Sequence, residues 1–238
     1  MIDIGNTKTK YAHFVDDRIK DKGFCKTEEI SKIVYVYSEK VKNIMLSSVK
    51  PIPELVLSKP KNKGCKLIVL SSELEMPFKT SYNSPKTLGS DRLALIAGAV
   101  SLFSNIPVLI IDAGTCITFD FVDSKKNHLG GSISPGLQMR LNALENQTSA
   151  LPAVNLRMPH KLIGDSTENS ILSGVVNGAI KELDGIIDTY KKRYPETIVV
   201  ITGGDLGFFD KKLKNSIFVD EDILLKGMYF IQKHYANK

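Results

Sequence analysis

Two stretches of the chain repeat one pattern, in which an apolar strand runs into Asp-x-Gly and then into small hydroxyl residues. The first is MIDIGNTKTK at residues 1–10, and the second is LIIDAGTCITFD at residues 109–120. A carboxylate two residues before a glycine suits a site for a cation and phosphates, because the glycine lets backbone N–H groups approach phosphate oxygens. A single turn of this kind also makes an ordinary hairpin. Two of them, each opening one half of the chain, predict a duplicated nucleotide-binding fold with the nucleotide in the cleft between the halves.

The composition excludes several classes of protein. The net charge of +6 is spread thinly, mostly as lysine pairs, without the basic stripe and interleaved aromatic residues of a nucleic-acid-binding protein. The three cysteines are widely spaced and form no C-x-x-C, which argues against a disulfide framework and a zinc site. No apolar run approaches the ~20 residues of a membrane span. Asp3 interrupts any apolar run at the N-terminus, so we expect no signal peptide. We therefore expect a soluble cytoplasmic protein without nucleic-acid or membrane partners.

The order of predicted elements favours a specific architecture. Strands at 2–4, 10–15 and 18–25, a helix at 28–40, a strand at 44–49, a short helix and a strand at 67–70 follow the order of a ribonuclease H-like half. A second three-strand meander begins at residue 108, and long helices are predicted over 91–103, 168–194 and 221–235. The predicted fold class is therefore α/β, a duplicated ribonuclease H-like (actin-like ATPase) fold of two mixed-sheet halves. We place the N-terminal half at 1–106 and the C-terminal half at 107–238.

Asp3 and Asp112 are the two acids of the repeat. Each could be a turn residue whose side chain bonds its own backbone. Their matched positions favour binding of phosphates and of a cation, both of which phosphoryl transfer requires.

The segment Gly89-Ser90-Asp91-Arg92 precedes a predicted helix, with Ser90 as the expected N-cap. A first-turn aspartate could simply complement the helix dipole, with the arginine on the surface. In the functional interpretation, Asp91 accepts the proton of an attacking hydroxyl and Arg92 holds an anionic group.

Two further glycine-rich segments have open interpretations. Residues 130–136 could be a strand end and a bend, or a place where a ligand approaches the backbone. The segment Gly203-Gly204-Asp205 follows a buried strand, and open sheets bind ligands at the carboxyl ends of their strands. We favour a role for residues 203–205 beneath a nucleotide base and ribose.

Taken together, these motifs resemble the type III pantothenate kinases, from the superfamily of acetate and sugar kinases, heat-shock chaperone ATPases and actin. The resemblance extends from residue 3 to about 227 and includes DIGNT, the segment from Tyr82 to Arg92, DAGT, GGSISPG and the late TGG. It implies ATP-dependent phosphorylation of pantothenate to 4′-phosphopantothenate, the first step of coenzyme A biosynthesis. Two alternatives stay open, a sugar kinase of the same superfamily and a non-catalytic nucleotide-binding regulator of the same fold.

The resemblance also implies roles for individual residues. Asp91 would be the catalytic proton acceptor, Asp112 would hold a monovalent cation, either K⁺ or NH4⁺, and Asp3 would serve Mg²⁺, directly or through water. The residues implied for pantothenate are Tyr82, Gly89, Ser90, Asp91, Arg92 and Thr167. Those implied for ATP are Asp3, Ile4, Gly5, Asn6, Thr7, Lys8, Thr9, Lys10 and Thr115.

Thr167 matches a threonine that reaches the pantothenate of a neighbouring subunit, so the resemblance implies a homodimer with shared sites. The chain departs from the family at Asp165, where lysine is common, and that departure concerns how the Thr167 loop is held. Ser90 and Cys116 are smaller departures, at positions where small apolar residues are usual.

Overall fold

The computed structural model of the protein describes residues 1–6, 8–52, 54–57, 62 and 64–236. The chain divides into two compact units. One comprises Met1–Ser104, Lys126–His128 and Asp222–Lys238, and the other comprises Asn105–Lys125 and Leu129–Glu221. These units are defined by contacts and combine separate stretches of the chain. The predicted halves are continuous stretches, so their limits at 1–106 and 107–238 stay a prediction.

A five-stranded sheet in the order β3-β2-β1-β4-β5 forms the centre of the first unit. Its strands are β1 (Ile2–Ile4), β2 (Thr9–Val15), β3 (Arg18–Cys25), β4 (Asn43–Ser48) and β5 (Lys66–Val69). The β1–β2 and β2–β3 pairs are antiparallel, whereas β4 runs parallel to both β1 and β5. β1 is therefore the central strand, and Ile2 and Ile4 are buried in the core with the apolar residues of β4.

Two helices follow this meander, α1 (Ile30–Ser38) and the short α2 (Glu54–Leu57). α1 packs into the core through Ile30 and Val34, as its apolar spacing predicts. It begins two residues later than expected because residues 27–29 form a 3₁₀ turn, in which the Glu29 carboxylate accepts a hydrogen bond from Lys26 N at 3.0 Å.

The second unit repeats the strand order of the first. Its strands are β7 (Val108–Ala113), β8 (Cys116–Val122), β9 (Asn127–Pro135), β10 (Ile198–Thr202) and β11 (Phe218–Val219). The first two residues of β9 belong to the first unit, where they pair with β6 (Lys79–Thr80). The order β9-β8-β7-β10-β11 corresponds to β3-β2-β1-β4-β5. β7 pairs antiparallel with β8 and parallel with β10, as β1 does with β2 and β4. The predicted duplicated ribonuclease H-like fold is confirmed.

The predicted helix at 168–194 is interrupted. The segment contains α5 (Thr167–Leu172), a π-helical turn at Ser173–Asn177 and α6 (Gly178–Arg193). Within the turn the Ser173 hydroxyl donates to the Leu162 carbonyl, and the Asn177 amide donates to Ser173 Oγ at 3.0 Å. Side-chain hydrogen bonds of this kind compete with the regular helical pattern. The apolar spacing gave the extent of the helical segment but not its interruption.

The remaining helices are α3 (Ser90–Leu102), α4 (Leu137–Gln147), α7 (Leu206–Phe209) and α8 (Ile223–Ala236). α3 and α8, both in the first unit, pack closely where each carries a glycine. A Cβ on Gly227 would lie 1.8 Å from the Ala94 carbonyl oxygen, and one on Gly98 would lie 2.4 Å from the Ile223 carbonyl oxygen. The two backbones thus touch directly, and α8 supports α3, the helix whose first turn contains Asp91.

Gly227→Ala should therefore lower the free energy of unfolding by roughly 3 kcal/mol, because overpacking at rigid backbone forces the helices apart. Chemical denaturation measures the change. Gly185→Ala is the matched control, since Gly185 is an exposed glycine of α6 whose added Cβ would meet no atom within 4 Å. Helix propensity predicts that the control gains about 0.5–1 kcal/mol. Equal stability of the two variants would contradict the packing argument.

Across the described part of the chain, no helix combines the length and apolar character that crossing a membrane requires.

Candidate active site

Asp3 lies near the carboxyl end of the central strand β1 and is only 7% exposed. Its backbone neighbours in the sheet are Ser47 of β4 and Lys10 of β2. Asp3 Oδ1 is buried without a hydrogen-bond partner among the described residues. The pKa of this carboxyl is raised to about 6, mainly by burial and also by nearby Asp91, against lowering by the Ser47 hydroxyl and Lys10. A buried carboxylate with an orphaned oxygen is the donor that a hard cation prefers.

The turn after β1 is tight. Gly5 N donates to the Lys8 carbonyl at 3.2 Å, and the Asn6 carbonyl accepts from Lys50 Nζ at 2.6 Å. Thr9 starts β2, opposite Ile4, and its fully buried Oγ1 has no hydrogen-bond partner in the described chain. Thr7, also predicted for ATP, lies outside the described residues. Unpartnered oxygens of Asp3 and Thr9 thus flank the turn expected to bind phosphates.

The first turn of α3 is joined to the end of β4. Gly89 is the N-cap, so the prediction of Ser90 at that position is wrong by one residue. The Ser90 hydroxyl instead bonds across to β4, donating to the Ser48 carbonyl at 3.1 Å and accepting from Ser48 N at 3.2 Å and from Ser47 Oγ at 3.1 Å. These bonds fix the helix start beside the sheet. Asp91 follows with its Oδ1 bonded to Arg92 N at 2.8 Å, close enough to raise the pKa of Asp3.

Arg92 and Tyr82 also meet in this unit. The Arg92 side chain is buried, and its guanidinium carbon lies 5.4 Å from the centre of the Tyr82 ring. Tyr82 in turn stacks on His128, with ring centres 6.1 Å apart. His128 was not predicted as a site residue. The sequence carried no signal for it, because the contact depends on pairing between β6 and β9, 48 residues apart.

In the second unit, the turn between β7 and β8 holds Asp112 and Thr115. Asp112 is half-buried and lies between Thr118 of β8 and Thr202 of β10 in the sheet, whereas Thr115 is exposed. The Thr115 carbonyl accepts from Gly136 N at 3.2 Å, so the end of the predicted ligand-approach segment at 130–136 covers the turn.

The Gly203 segment covers the same turn. Gly203 has φ of +109°, and a Cβ there would lie 2.1 Å from the Ala113 carbonyl oxygen, so only glycine fits. Asp205 N donates to that carbonyl at 2.9 Å, and burial raises the pKa of the Asp205 carboxyl. The second Asp-x-Gly turn is thereby enclosed by two glycine-containing loops of its own unit.

Thr167 is the first residue of α5, in the second unit. The N-cap Ser166 accepts from Asn169 N at 3.2 Å. Asp165 bonds to Lys161 Nζ at 2.6 Å and to the Asn169 amide at 2.7 Å, and both bonds lower its pKa. Asp165 therefore helps to hold this loop, in the position where the resemblance leads one to expect lysine.

Comparison with known proteins gives consistent matches over the chain. A family model described as type III pantothenate kinase matches residues 1–189. The type III pantothenate kinase of Flavobacterium johnsoniae is 41% identical over 231 residues, covering 95% of this chain and 94% of that protein. The Christiangramia forsetii protein of the same name is 42% identical over 234 residues, covering 97% and 96%. A ROK hexokinase structure from Thermus thermophilus, 14% identical with a TM-score of 0.51, covers 97% of this chain and 96% of its own, a likeness of fold alone.

Proposed function

The chain belongs to the type III pantothenate kinase family, and on that premise we propose how its own residues carry out the reaction. The activity is ATP-dependent phosphorylation of pantothenate, which starts coenzyme A biosynthesis. The family match decides against the sugar kinase and the non-catalytic regulator. The observation that best supports the residue roles is the proximity of two carboxyl groups, Asp3 on β1 and Asp91 at the start of α3. Ser90 bonds the start of α3 to β4, the strand that pairs with β1.

Asp91 is the proton acceptor in this proposal. It aligns the primary alcohol of pantothenate for in-line attack on the γ-phosphate, and it takes the hydroxyl proton late in a loose transition state. Arg92, Tyr82, Gly89 and Ser90 form the remaining pantothenate contacts from the same unit. Ser90 contributes mainly by holding the helix start, because its hydroxyl is already engaged with β4.

The turn after β1 receives the ATP phosphates. Backbone N–H groups of the turn and the Thr9 hydroxyl would donate to phosphate oxygens, and Lys8 and Lys10 supply positive charge. The orphaned oxygen of Asp3 fits Mg²⁺, directly or through water. When bound, Mg²⁺ would neutralise charge that develops on the phosphates.

A monovalent cation, K⁺ or NH4⁺, is proposed at Asp112, and Thr115 is proposed to contact ATP. The half-buried carboxylate at the end of β7, enclosed by the Gly136 and Gly203 segments, supports the cation proposal. No cluster of three or more His, Cys, Asp or Glu suited to a metal occurs among the described residues, so a single carboxylate would need oxygen ligands from elsewhere.

We further propose a homodimer in which Thr167 of one subunit completes the pantothenate site of the other. The family resemblance and the ordered α5 start, held by Ser166 and Asp165, support this arrangement. The cytoplasm is the compartment that we propose for the reaction.

The assay that tests the function couples ADP release to a spectroscopic signal, with pantothenate and ATP-Mg, in potassium and then in sodium buffer. We expect turnover in potassium and a rate roughly tenfold lower in sodium, since a poorly fitting cation forfeits about 1.4 kcal/mol of charge stabilisation. Asp112→Asn should abolish the difference between the buffers. Absence of turnover in both, with folded protein, would refute the activity. Equal rates in both would refute the cation site alone.

A further inference from the structure

His128 and Thr80 surround the Tyr82 backbone and ring in a way that the substrate contacts alone do not explain. β6 and the start of β9 pair in parallel, with Thr80 opposite His128, and Ser81 N donates to the His128 carbonyl at 2.8 Å. This short pairing anchors the chain two residues before Tyr82. His128 is fully buried, which is unusual for a histidine with no part in the chemistry described above.

A continuous set of polar contacts links the three residues. Tyr82 N donates to Thr80 Oγ1 at 3.1 Å, and Thr80 Oγ1 lies 2.9 Å from His128 Nδ1. The threonine hydroxyl accepts from Tyr82 N–H and shares a second hydrogen bond with His128 Nδ1, whose donor is set by the tautomer of the imidazole. The His128 ring then stacks on the Tyr82 ring. His128 thus contacts the Tyr82 ring directly and is linked to the Tyr82 backbone through Thr80.

From this geometry we infer that Thr80 and His128 are positioning residues that hold Tyr82 for pantothenate binding. We call the three residues the Tyr82 clamp. The inference rests on the proposed role of Tyr82 in binding pantothenate. The clamp acts on ring orientation, and the buried Arg92 guanidinium contacts the same ring at 5.4 Å. Orienting Tyr82 therefore also fixes one neighbour of the arginine beside Asp91.

Tyr82 needs support from the clamp because the chain that follows it is exposed to solvent. Tyr82 is half-buried, and residues 83–87 after it are exposed, so the backbone on that side provides little packing. A tyrosine in such a segment samples several rotamers and loses that freedom when substrate binds. Ordering the ring in advance removes this entropic cost from binding and should appear as a lower KM for pantothenate.

The test uses Thr80→Val, which removes the hydroxyl at an exposed position and should leave the fold intact. We expect the KM for pantothenate to rise about fivefold, the effect of one hydrogen bond. The KM for ATP should not change, and the melting temperature should fall by only a few degrees, because the buried His128 Nδ1 loses this bond. Thr80→Ser restores the hydroxyl and should restore the KM. Thr189→Val, which removes an exposed hydroxyl bonded within α6, is the matched control and should change neither constant.

Two histidine variants separate the stacking of the ring on Tyr82 from the hydrogen bond of Nδ1. His128→Asn keeps a polar atom near the position of Nδ1 but loses the stack, whereas His128→Phe keeps a ring and loses Nδ1. Each should raise the KM for pantothenate with kcat nearly unchanged, which a purely structural defect would not do.

Tyr82→Leu distinguishes the two ways in which the inference could fail. If Tyr82→Leu raises the KM for pantothenate and Thr80→Val does not, the clamp is refuted and the proposed role of Tyr82 stands. If Tyr82→Leu also leaves that KM unchanged, the role of Tyr82 is refuted and the clamp with it.

Discussion

Asp91→Asn should lower kcat for pantothenate phosphorylation by ~10²–10⁴-fold, the range that a positioned general base contributes. Asp91 Oδ1 accepts from Arg92 N, which leaves Oδ2 as the oxygen for the substrate hydroxyl. Asparagine can keep the bond to Arg92 N through its carbonyl oxygen. Its amide group then replaces Oδ2 and cannot accept a proton. The fold and ATP binding should therefore survive while turnover is lost.

Steady-state kinetics measure the loss of kcat, and calorimetric titration with ATP measures whether nucleotide binding is retained. The dissociation constant for ATP should stay within about twofold of the wild type, because Asp91 approaches the phosphates only when they react. A variant with near-normal kcat would show that another group takes the proton.

The same variant tests the proposed sharing of sites. In a dimer with Asp91→Asn in one subunit and Thr167→Val in the other, one site contains both changes and the other contains neither. The two variant proteins are mixed under conditions that dissociate the dimer and are then allowed to reassociate. The activity of the mixture should exceed the mean activity of the two separate variants. Activity that equals that mean would argue that each subunit uses its own Thr167.

The residues of the site that follow from local sequence were predictable, and those that depend on distant pairing were not. An apolar strand ending in Asp-x-Gly dictates a buried acid before a tight turn, and Asp3 has that environment. Likewise, Gly89 and Asp91 at the start of an apolar helix indicated a helix N-terminus. The duplicated strand order could be predicted because two copies of one pattern constrain each other.

His128 and the bonds of Ser90 required the tertiary structure. Ser90 looks like an N-cap in sequence, yet its hydroxyl is used by Ser47 and Ser48, more than 40 residues earlier in the chain. His128 follows a polar turn and would pass for a surface residue. The π-helical turn at Ser173–Asn177 was equally invisible, because the apolar spacing of a helix continues across it.

The charge of Asp3 leads to the second large effect. Its pKa is about 6 in the folded protein and 3.8 in the ordinary reference state. A carboxyl whose pKa is raised by folding destabilises the fold when ionised. The resulting loss in the free energy of unfolding is absent below pH 3.8, where the Asp3 carboxyl is neutral in both states, and is fully present once the pH exceeds 6. At 1.36 kcal/mol per pKa unit, the raised pKa corresponds to about 3 kcal/mol at neutral pH.

Asp3→Asn should therefore unfold at higher denaturant concentration than the wild type at pH 8 in the presence of a chelator. The difference in unfolding midpoint between the variant and the wild type should narrow as the pH falls from 6 to 4, because the wild-type carboxyl becomes neutral there. Asp184→Asn is the contrasting control. Asp184 is also buried, but its oxygens accept from Lys214 N, Asn215 N and the Asn215 amide, so asparagine there should destabilise the fold.

Activity should change in the opposite direction. We expect kcat/KM for ATP-Mg to fall by about 10²-fold in Asp3→Asn, because a neutral amide holds a divalent cation poorly. Mg-ATP should raise the melting temperature of the wild type more than that of the variant. Higher stability together with lower activity in Asp3→Asn would show that the buried charge of Asp3 destabilises the fold and is kept for ligand binding. If Asp3→Asn instead loses stability at pH 8, the orphaned oxygen is satisfied in solution and Asp3 is a structural residue.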